Sequence, residues 1–192
     1  MTKKRIFILL GHSDPQSHCC NFADTYEAAA KAAGHEVQRL NIGDMKFDPI
    51  LHHGYRERMD LEPDLLKVRE LMQWCEHFVL FYPNWWGTMP ALLKGMWDRM
   101  FLPGFAFKMR PDGMGWNRLL SGRTARVFIT TGNSAFVDWF MFGNFTNVIK
   151  SSILEFAGIS TRTTIFSKAE KASDAQMAKW LRKTEKLAKA GR

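Results

Sequence analysis

Residues 77–107 have the sequence HFVLFYPNWWGTMPALLKGMWDRMFLPGFAF. An apolar run over residues 78–82 has the length and composition of a buried strand, and Pro83 stops it. Thr88 stands where the N-cap of a helix is expected, with Pro90 close to its first turn. Apolar pairs then repeat at helical spacing through residues 89–101. A strand, an aromatic loop and a helix in succession are typical of an open α/β sheet with a ligand site at its carboxyl edge.

The rest of the chain alternates between strands and helices. Four further strands are predicted at residues 5–10, 36–40, 124–130 and 159–166. The first helix is predicted after Ser17; Ala33 lies on its apolar face, and Gly34 ends it. Four more helices are predicted at residues 62–74, 89–101, 144–157 and 173–188, and Ser173 is the N-cap of the last. Residues 41–58 and 103–120 have the composition of loops. This alternation predicts an α/β fold, a doubly wound parallel sheet with helices on both faces, and a single domain over residues 1–192.

Composition favours a globular protein in a reducing compartment. The 192 residues are 46% apolar and 24% charged, and no apolar run reaches the length of a membrane span, so no membrane insertion is expected. The N-terminal apolar run covers only residues 6–10, shorter than a secretory signal, and fits a first buried strand. The three cysteines are an odd number and lack the spacing of metal ligands, so they predict a cytoplasmic protein without a disulfide framework. The six histidines show no metal-binding spacing, so no metal is expected, and His52–His53 fits a surface loop.

A formal charge of +8, from 27 basic and 19 acidic residues, suits an anionic ligand or partner. Much of the excess lies near the two ends, at residues 3–5 and 168–192. A solvated final helix explains the second cluster better than a nucleic-acid-binding arm, because no nucleic-acid motif accompanies it. We therefore expect no nucleic-acid partner.

Three loops are predicted to meet at the carboxyl edge of the sheet, after the first, third and fourth strands. They are His12–Ser17, 83–88 and 130–133. The first leads into a helix N-terminus, whose free N–H groups and dipole favour an anion. Ser17 adds a hydroxyl donor and His12 a ring N–H, although Ser17 as a cap alone is the alternative.

The ligand predicted for these loops is a mononucleotide with a flat aromatic ring. No Walker A sequence is present, and the only GMG, at Gly113–Gly115, lies inside a loop, which disfavours a dinucleotide site. Trp85 and Trp86 offer ring faces or edges, and backbone N–H groups of residues 84–87 suit a polar ring edge. We expect the other side of the ring to lie against Thr130, Thr131 and Gly132. The tryptophan pair alone fits a core or an interface equally well.

Three stretches carry a family resemblance: GHSDPQS in the first loop, PNWWGTMPALLKGMWDRMFLPGFAF in the middle and LLSGRTARVFITTGN around the fourth strand. In these stretches the chain resembles the flavodoxin-like NAD(P)H:quinone oxidoreductase family. This family includes potassium-efflux ancillary reductases and modulator-of-drug-activity proteins. The resemblance covers about residues 5–165. It implies a five-stranded sheet in the order 2-1-3-4-5 and a two-electron flavin reductase.

The resemblance also implies a role for each loop. It places His12, Ser17 and Cys19 at the flavin phosphate, and Thr130, Thr131 and Gly132 at one edge of the isoalloxazine. Along the ring it places Pro83, Asn84, Trp85 and Trp86. The turn at residues 104–107 approaches the active-site mouth of a homodimer in this family. The implied active-site wall consists of Trp86, Phe105, Phe107 and Trp139, and no residue is assigned as a catalytic acid or base.

Three departures from the family pattern bear on the chemistry. Cys19 stands where relatives commonly have Asn; a thiol at a helix N-terminus has either a lowered pKa or the role of a small buried filler, which we favour. Residues 133–147 lack the Tyr and His that assist hydride transfer in mammalian-type enzymes and carry Asp138, Trp139, Phe140 and Phe142 instead. The extra C-terminal segment of those enzymes is also missing, which favours FMN over FAD.

The predicted activity is ping-pong transfer of a hydride from NAD(P)H to a quinone or similar aromatic acceptor. A redox-sensing regulatory subunit of a membrane transport system is the alternative, because one fold serves both roles. A one-electron flavodoxin-type carrier is disfavoured, since such carriers are acidic and this chain is basic. Aromatic residues in the segments 97–107 and 139–145 exceed the needs of one pocket and predict a homodimer.

Overall fold

A five-stranded parallel sheet lies at the centre of the computed structural model, which describes residues 2–192. Its strands are β1 (Arg5–Leu10), β2 (Glu36–Asn41), β3 (His77–Pro83), β6 (Thr124–Thr131) and β7 (Ser160–Ser167), with β4 and β5 in the hairpin described below. They follow the order β2-β1-β3-β6-β7 in space. The predicted fold class and strand order are therefore confirmed, and no predicted strand end is wrong by more than one residue.

Two apolar cores lie on opposite faces of this sheet. One contains apolar side chains of α2 (Pro63–Trp74) and α3 (Ala91–Met100), and the other those of α1 (His18–Ala32) and α5 (Asp174–Lys189). Successive side chains of a strand point to opposite faces, so Leu80 of β3 enters the first core and Phe81 the second. Burial on both faces explains why β3 is continuously apolar.

The caps of α1 and α5 follow the sequence closely. Ser17 accepts a hydrogen bond from Cys20 N at 3.3 Å, and Ser173 accepts one from Gln176 N at the same distance. These side chains satisfy backbone donors that a helix start leaves free. The first helix, however, ends at Ala32, and Ala33 is exposed, so its predicted place on the apolar face is wrong.

The start of α3 differs from the prediction. The helix begins at Ala91 with Pro90 in the N-cap position, where no side chain supplies a capping bond. Thr88 lies before the helix in a closed turn, because its N–H donates to Trp85 O at 3.1 Å and its O accepts from Trp85 N at 2.8 Å. The predicted N-cap at Thr88 is therefore wrong.

Two regions contain more structure than the sequence indicates. Residues 103–120 include an antiparallel hairpin of β4 (Phe107–Met109) and β5 (Trp116–Arg118) rather than an irregular loop. The predicted helix at 144–157 is a π-helix over Val148–Glu155, and a separate helix, α4 (Ala135–Phe142), precedes it. A short 3-10 turn, Ile42–Asp44, interrupts the predicted loop at 41–58.

The prediction for the fold concerns Gly95, on the buried side of α3. A Cβ there would lie 2.5 Å from the carbonyl oxygen and the Cβ of Pro49. Replacing Gly95 by Ala gains about 1 kcal/mol of helix propensity. Overpacking against a backbone atom costs about 1–3 kcal/mol, so we expect Gly95→Ala to lower the free energy of unfolding by up to about 2 kcal/mol in urea denaturation.

Gly132→Ala is the matched control, because a Cβ at Gly132 meets no atom within 4 Å and its φ is not in the left-handed region. Its urea midpoint should stay near that of the unchanged protein. A Gly95→Ala variant as stable as the control would contradict the close approach of Pro49 to α3.

Candidate functional site

A cleft of about 240 Å³ lies at the carboxyl edge of the sheet. Its walls come from the loops after β1, β3, β6 and β7, and they consist of His12, Asp14, Ser17, His18, Cys19, Pro83, Asn84, Trp85, Thr130, Thr131, Gly132, Ala169 and Glu170. Nine of the ten residues predicted to bind a cofactor line this cleft, and Trp86 is the exception. The structure thus brings the three predicted loops together in one cleft.

Backbone hydrogen bonds beyond the strand ends hold these loops in place. Gly11 N donates to Phe81 O at 2.7 Å, which joins the loop after β1 to β3. Asn84 N donates to Thr130 O at 2.7 Å, which joins the loop after β3 to β6. Lys168 N donates to Asn133 O at 3.1 Å and brings the chain after β7 to the same edge. The positions of these loops, and so the shape of the cleft, are therefore fixed by hydrogen bonds that continue the sheet.

One end of the cleft has the donors of an anion site. Within residues 2–192, the N–H groups of His18 and Cys19 donate no hydrogen bond to the protein, as expected for the first turn of α1. The Ser17 oxygen accepts from Cys20 N, which leaves its hydroxyl proton free to donate. Free N–H groups at the positive end of a 15-residue helix favour a phosphate.

His12 presents a neutral ring to the same end. Its Nδ1 accepts a hydrogen bond from Asp14 N at 2.9 Å, so the neutral imidazole carries its proton on Nε2. Partial burial lowers the pKa of His12 below its usual value of 6.5, although Asp14 opposes this shift. The ring also contacts Trp85 edge-on, with centroids 5.3 Å apart. His12 therefore has a ring N–H on Nε2, and its role as a donor to a ligand stays a prediction.

Cys19 is a buried side chain of this wall. Its Sγ lies 3.3 Å from Thr130 Oγ1, across the cleft floor between α1 and β6. Burial raises the pKa of Cys19 to about 12, despite the opposing effect of the hydrogen bond with Thr130. The thiol is therefore protonated at neutral pH, which agrees with the role of a small buried filler.

Asn84 carries an unsatisfied acceptor at the other end of the cleft. Its side-chain Oδ1 is buried and has no hydrogen-bond partner within residues 2–192. A buried acceptor without a partner is costly, so this atom suits a ligand that donates an N–H. The backbone contribution differs from the prediction, because the N–H groups of Asn84 and Trp85 are already bonded to Thr130 O and Thr88 O.

The two threonines after β6 use their hydroxyl groups within the protein. Thr130 Oγ1 contacts Cys19 Sγ, and Thr131 Oγ1 donates to Asn133 O at 2.6 Å. Both side chains are buried. Thr130 and Thr131 therefore shape the wall of the cleft and fix its loops, and Gly132 beside them leaves open space.

The four residues predicted as an active-site wall do not line the cleft of the same chain. Trp86 is 92% exposed and has a φ of +54°, a rare conformation for a large side chain. Trp139 is exposed on α4. Phe105 is only 4% exposed, with the Arg69 guanidinium 4.4 Å from its ring centroid, and Phe107 lines a different cavity. Their role as wall residues stays a prediction.

Four lining residues were not predicted. Asp14 lies inside the quoted first-loop stretch and His18 follows it directly, so their proximity was readable from sequence neighbours. Ala169 and Glu170 follow β7, whose carboxyl end borders β6 at the same edge of the sheet. The strand order alone indicates that this fourth loop contributes to the site.

A larger cavity, of about 520 Å³, lies away from this edge. Its walls include Leu51, Tyr55, Arg58, Phe101, Pro103 and Phe107. We assign the ligand site to the smaller cleft, because free donors, an unsatisfied acceptor and four strand ends converge there.

No helix in residues 2–192 is both long and apolar enough to cross a bilayer. The same part of the chain holds no group of three or more His, Cys, Asp or Glu side chains arranged to bind a metal ion.

Comparison with known proteins identifies the family. The model of the Flavodoxin_2 family, described as a flavodoxin-like fold, matches residues 4–188, and the chain belongs to this family. Its relatives include the human ribosyldihydronicotinamide dehydrogenase [quinone], which is 34% identical over 159 residues, 70% of this chain and 66% of the human enzyme. The chain spans less than two thirds of the length of the first curated relatives it matches. The predicted resemblance to quinone oxidoreductases is confirmed.

Solved structures show the same fold. Smu.1420 from Streptococcus mutans has a TM-score of 0.80 and 28% identity, over 97% of this chain and 99% of its own. An FMN-dependent NADH-azoreductase from Bacillus anthracis, solved in complex with FMN, has a TM-score of 0.75 and 17% identity, over 97% of this chain and 98% of its own.

The prediction for this site concerns thiol reactivity. With pKa values of about 12, Cys19 and Cys75 are thiolates in only about one molecule in ten thousand at pH 8. We expect iodoacetamide to leave both unmodified in the folded protein and to alkylate both in urea, as measured by peptide mass spectrometry. Rapid alkylation of native Cys19 would instead indicate a thiolate stabilised by the N-terminus of α1.

Proposed function

We propose that this chain is an FMN-dependent NAD(P)H oxidoreductase that reduces a quinone or a similar aromatic acceptor. The observation that carries the proposal is the convergence of phosphate-type donors and an unsatisfied buried acceptor in one cleft at the carboxyl edge of the sheet. Support also comes from the quinone named for the human relative and the FMN named for the Bacillus anthracis structure. FMN, when bound, would supply the chemistry of hydride transfer between NAD(P)H and the acceptor.

The start of α1 would hold the phosphate of FMN. His18 and Cys19 offer backbone N–H groups, Ser17 a hydroxyl, and His12 the N–H of a neutral ring. None of the residues that line this cleft, all within 2–192, is Lys or Arg, so hydrogen bonds and the dipole of α1 supply the attraction. Such a site suits a monophosphate.

The loop after β3 would orient the ring system. Asn84 Oδ1 is the acceptor for an N–H on the polar edge of the flavin, and Pro83 and Trp85 line the cleft beside it. Thr130 and Thr131 keep the opposite wall rigid through their own hydrogen bonds. The protein's contribution is binding, orientation and exclusion of water, and the proposal therefore requires no catalytic acid–base pair.

An anaerobic titration of the purified protein tests this function. Yellow protein that bleaches with NADPH and regains its colour with a benzoquinone, without a stable semiquinone, is the expected result. A semiquinone plateau would indicate a one-electron carrier. Protein that stays colourless with both FMN and FAD would overturn the proposal.

Ser17→Ala, with Ser173→Ala as its control, tests the phosphate end separately. Both changes remove an N-cap side chain and cost about 1 kcal/mol of helix stability, but only Ser17 lines the cleft. Loss of a hydrogen bond to a charged phosphate should weaken FMN binding about tenfold in Ser17→Ala, measured by fluorescence quenching. FMN affinity in Ser173→Ala should stay unchanged; equal losses would place the phosphate elsewhere.

We also propose that the functional unit is a homodimer formed through α4. Six apolar side chains of this helix are exposed: Phe136, Val137, Trp139, Phe140, Met141 and Phe142. Phe142 packs beside the turn at Gly87, where a Cβ would lie 2.8 Å from its Cβ, so the apolar surface continues to Trp86 near the cleft mouth. The segment 97–107 contributes less than predicted, because Trp97, Met100 and Phe105 are buried in the core.

A charge on α4 should separate the subunits. Phe140 is 76% exposed, so Phe140→Glu leaves the core intact but introduces a carboxylate into the proposed interface. We expect a dimeric mass for the unchanged protein and a monomeric mass for the variant, measured by light scattering after gel filtration. Leu66→Glu, at an exposed position of α2, should remain dimeric. A monomeric unchanged protein would contradict the proposal.

A further inference from the structure

A second pocket, of about 280 Å³, lies at the opposite edge of the sheet. Its lining includes Lys4, His77, Thr124, Arg126, Arg162 and Arg192. His77 and Thr124 are the first residues of β3 and β6, whereas the cleft described above follows their last residues. At about 3.3 Å per residue the two sites are separated by about 20 Å along β3.

The side chains of this pocket carry one sign of charge. Lys4, Arg126, Arg162 and Arg192 contribute four cations, and none of the lining residues, all within 2–192, is Asp or Glu. Burial lowers the pKa of Arg126, and the charges of Arg162 and Arg192 lower it further. Glu76, beside the pocket, offsets part of the charge of Lys4, and an anion in the pocket would stabilise the remaining cations.

Two buried polar atoms of the pocket lack partners. His77 is 2% exposed and Arg126 is 9% exposed, yet His77 Nε2 and Arg126 Nε make no hydrogen bond within residues 2–192. Arg126 also donates from Nη1 to Thr164 Oγ1 at 3.3 Å, and His77 Nδ1 lies 2.8 Å from Thr124 Oγ1. Buried polar groups of native proteins normally have partners, so these two atoms indicate a missing ligand.

The protonation state of His77 limits the chemical class of ligand that the pocket can bind. Its Nδ1 lies 2.8 Å from Thr124 Oγ1, which itself donates to Glu76 O, so Nδ1 carries the proton and Nε2 is an acceptor. Burial, together with Lys4 and Arg126, lowers the pKa of His77 to about 3, and the ring is neutral at pH 7. The ligand must offer oxygens to the guanidinium groups and a hydroxyl donor to Nε2.

We propose that this pocket binds a small phosphoryl anion, such as hydrogen phosphate or the terminal phosphate of a diphosphate. Such a group has several acceptor oxygens for Arg126, Arg162 and Lys4, and a P–OH that donates to His77 Nε2. Sulfate matches the charge but carries no proton at pH 7. A nucleic-acid backbone fits less well, because the unpartnered atoms lie inside a concave pocket and not along an exposed surface.

Calorimetric titration of the full chain with inorganic pyrophosphate and then phosphate tests the proposal. The protein is first saturated with FMN, which occupies the phosphate donors of the other edge. Arg162→Gln removes an exposed cation of the pocket, and Lys179→Gln removes an exposed cation of α5 outside it. We expect saturable binding that is weakened about tenfold in Arg162→Gln and by less than about twofold in Lys179→Gln.

Four outcomes would overturn the proposal: no saturable binding, equal weakening in both variants, sulfate binding as tightly as phosphate, or a single-stranded oligonucleotide binding through Arg162 more tightly than pyrophosphate. The test does not depend on the proposed redox function. If the protein failed to bind FMN, the comparison of Arg162→Gln with Lys179→Gln would still report on this pocket alone.

Discussion

Parallel pairing of β3 with both β1 and β6 is the constraint on which the candidate site depends. The ladder does not stop at the strand ends, because Gly11 N bonds to Phe81 O and Asn84 N to Thr130 O. These bonds leave the three loops little freedom to separate. The buried strands therefore create the cleft, and the polar residues in the loops give it chemistry.

The sequence predicts the sheet well because each strand has its own local signal. The runs of β1, β3 and β6 stop at Gly11, at Pro83 and near Gly132, and the strand order follows from the family resemblance. The misplaced helix start has a non-local cause, since Thr88 is held in a turn with Trp85. Helix α4 was missed because AFVDWFMF is apolar nearly all round, so it shows no face with helical period.

The site was predictable to the extent that its residues adjoin strand ends. Ser17, Asn84 and Thr130 were found in this way, and all three line the cleft. Whether a polar atom is free or already bonded depends on tertiary contacts, so the unsatisfied Asn84 Oδ1 and the engaged Thr131 hydroxyl were beyond sequence reasoning. The exposure of Trp86 and burial of Phe105 likewise depend on how loops fold back over the core.

The packing of the last helix has a consequence for the order of folding. Trp180 of α5 stacks on Phe166 with centroids 5.1 Å apart and contacts Phe22 of α1 edge-on, so one apolar core is completed by a helix that follows every strand in the chain. During synthesis only α1 can cover this face of the sheet until α5 emerges, whereas both helices of the other face, α2 and α3, emerge earlier. Completion of this core therefore needs a contact between residues far apart in the sequence, Phe22 and Trp180, and contacts of this kind cost more loop-closure entropy than local ones.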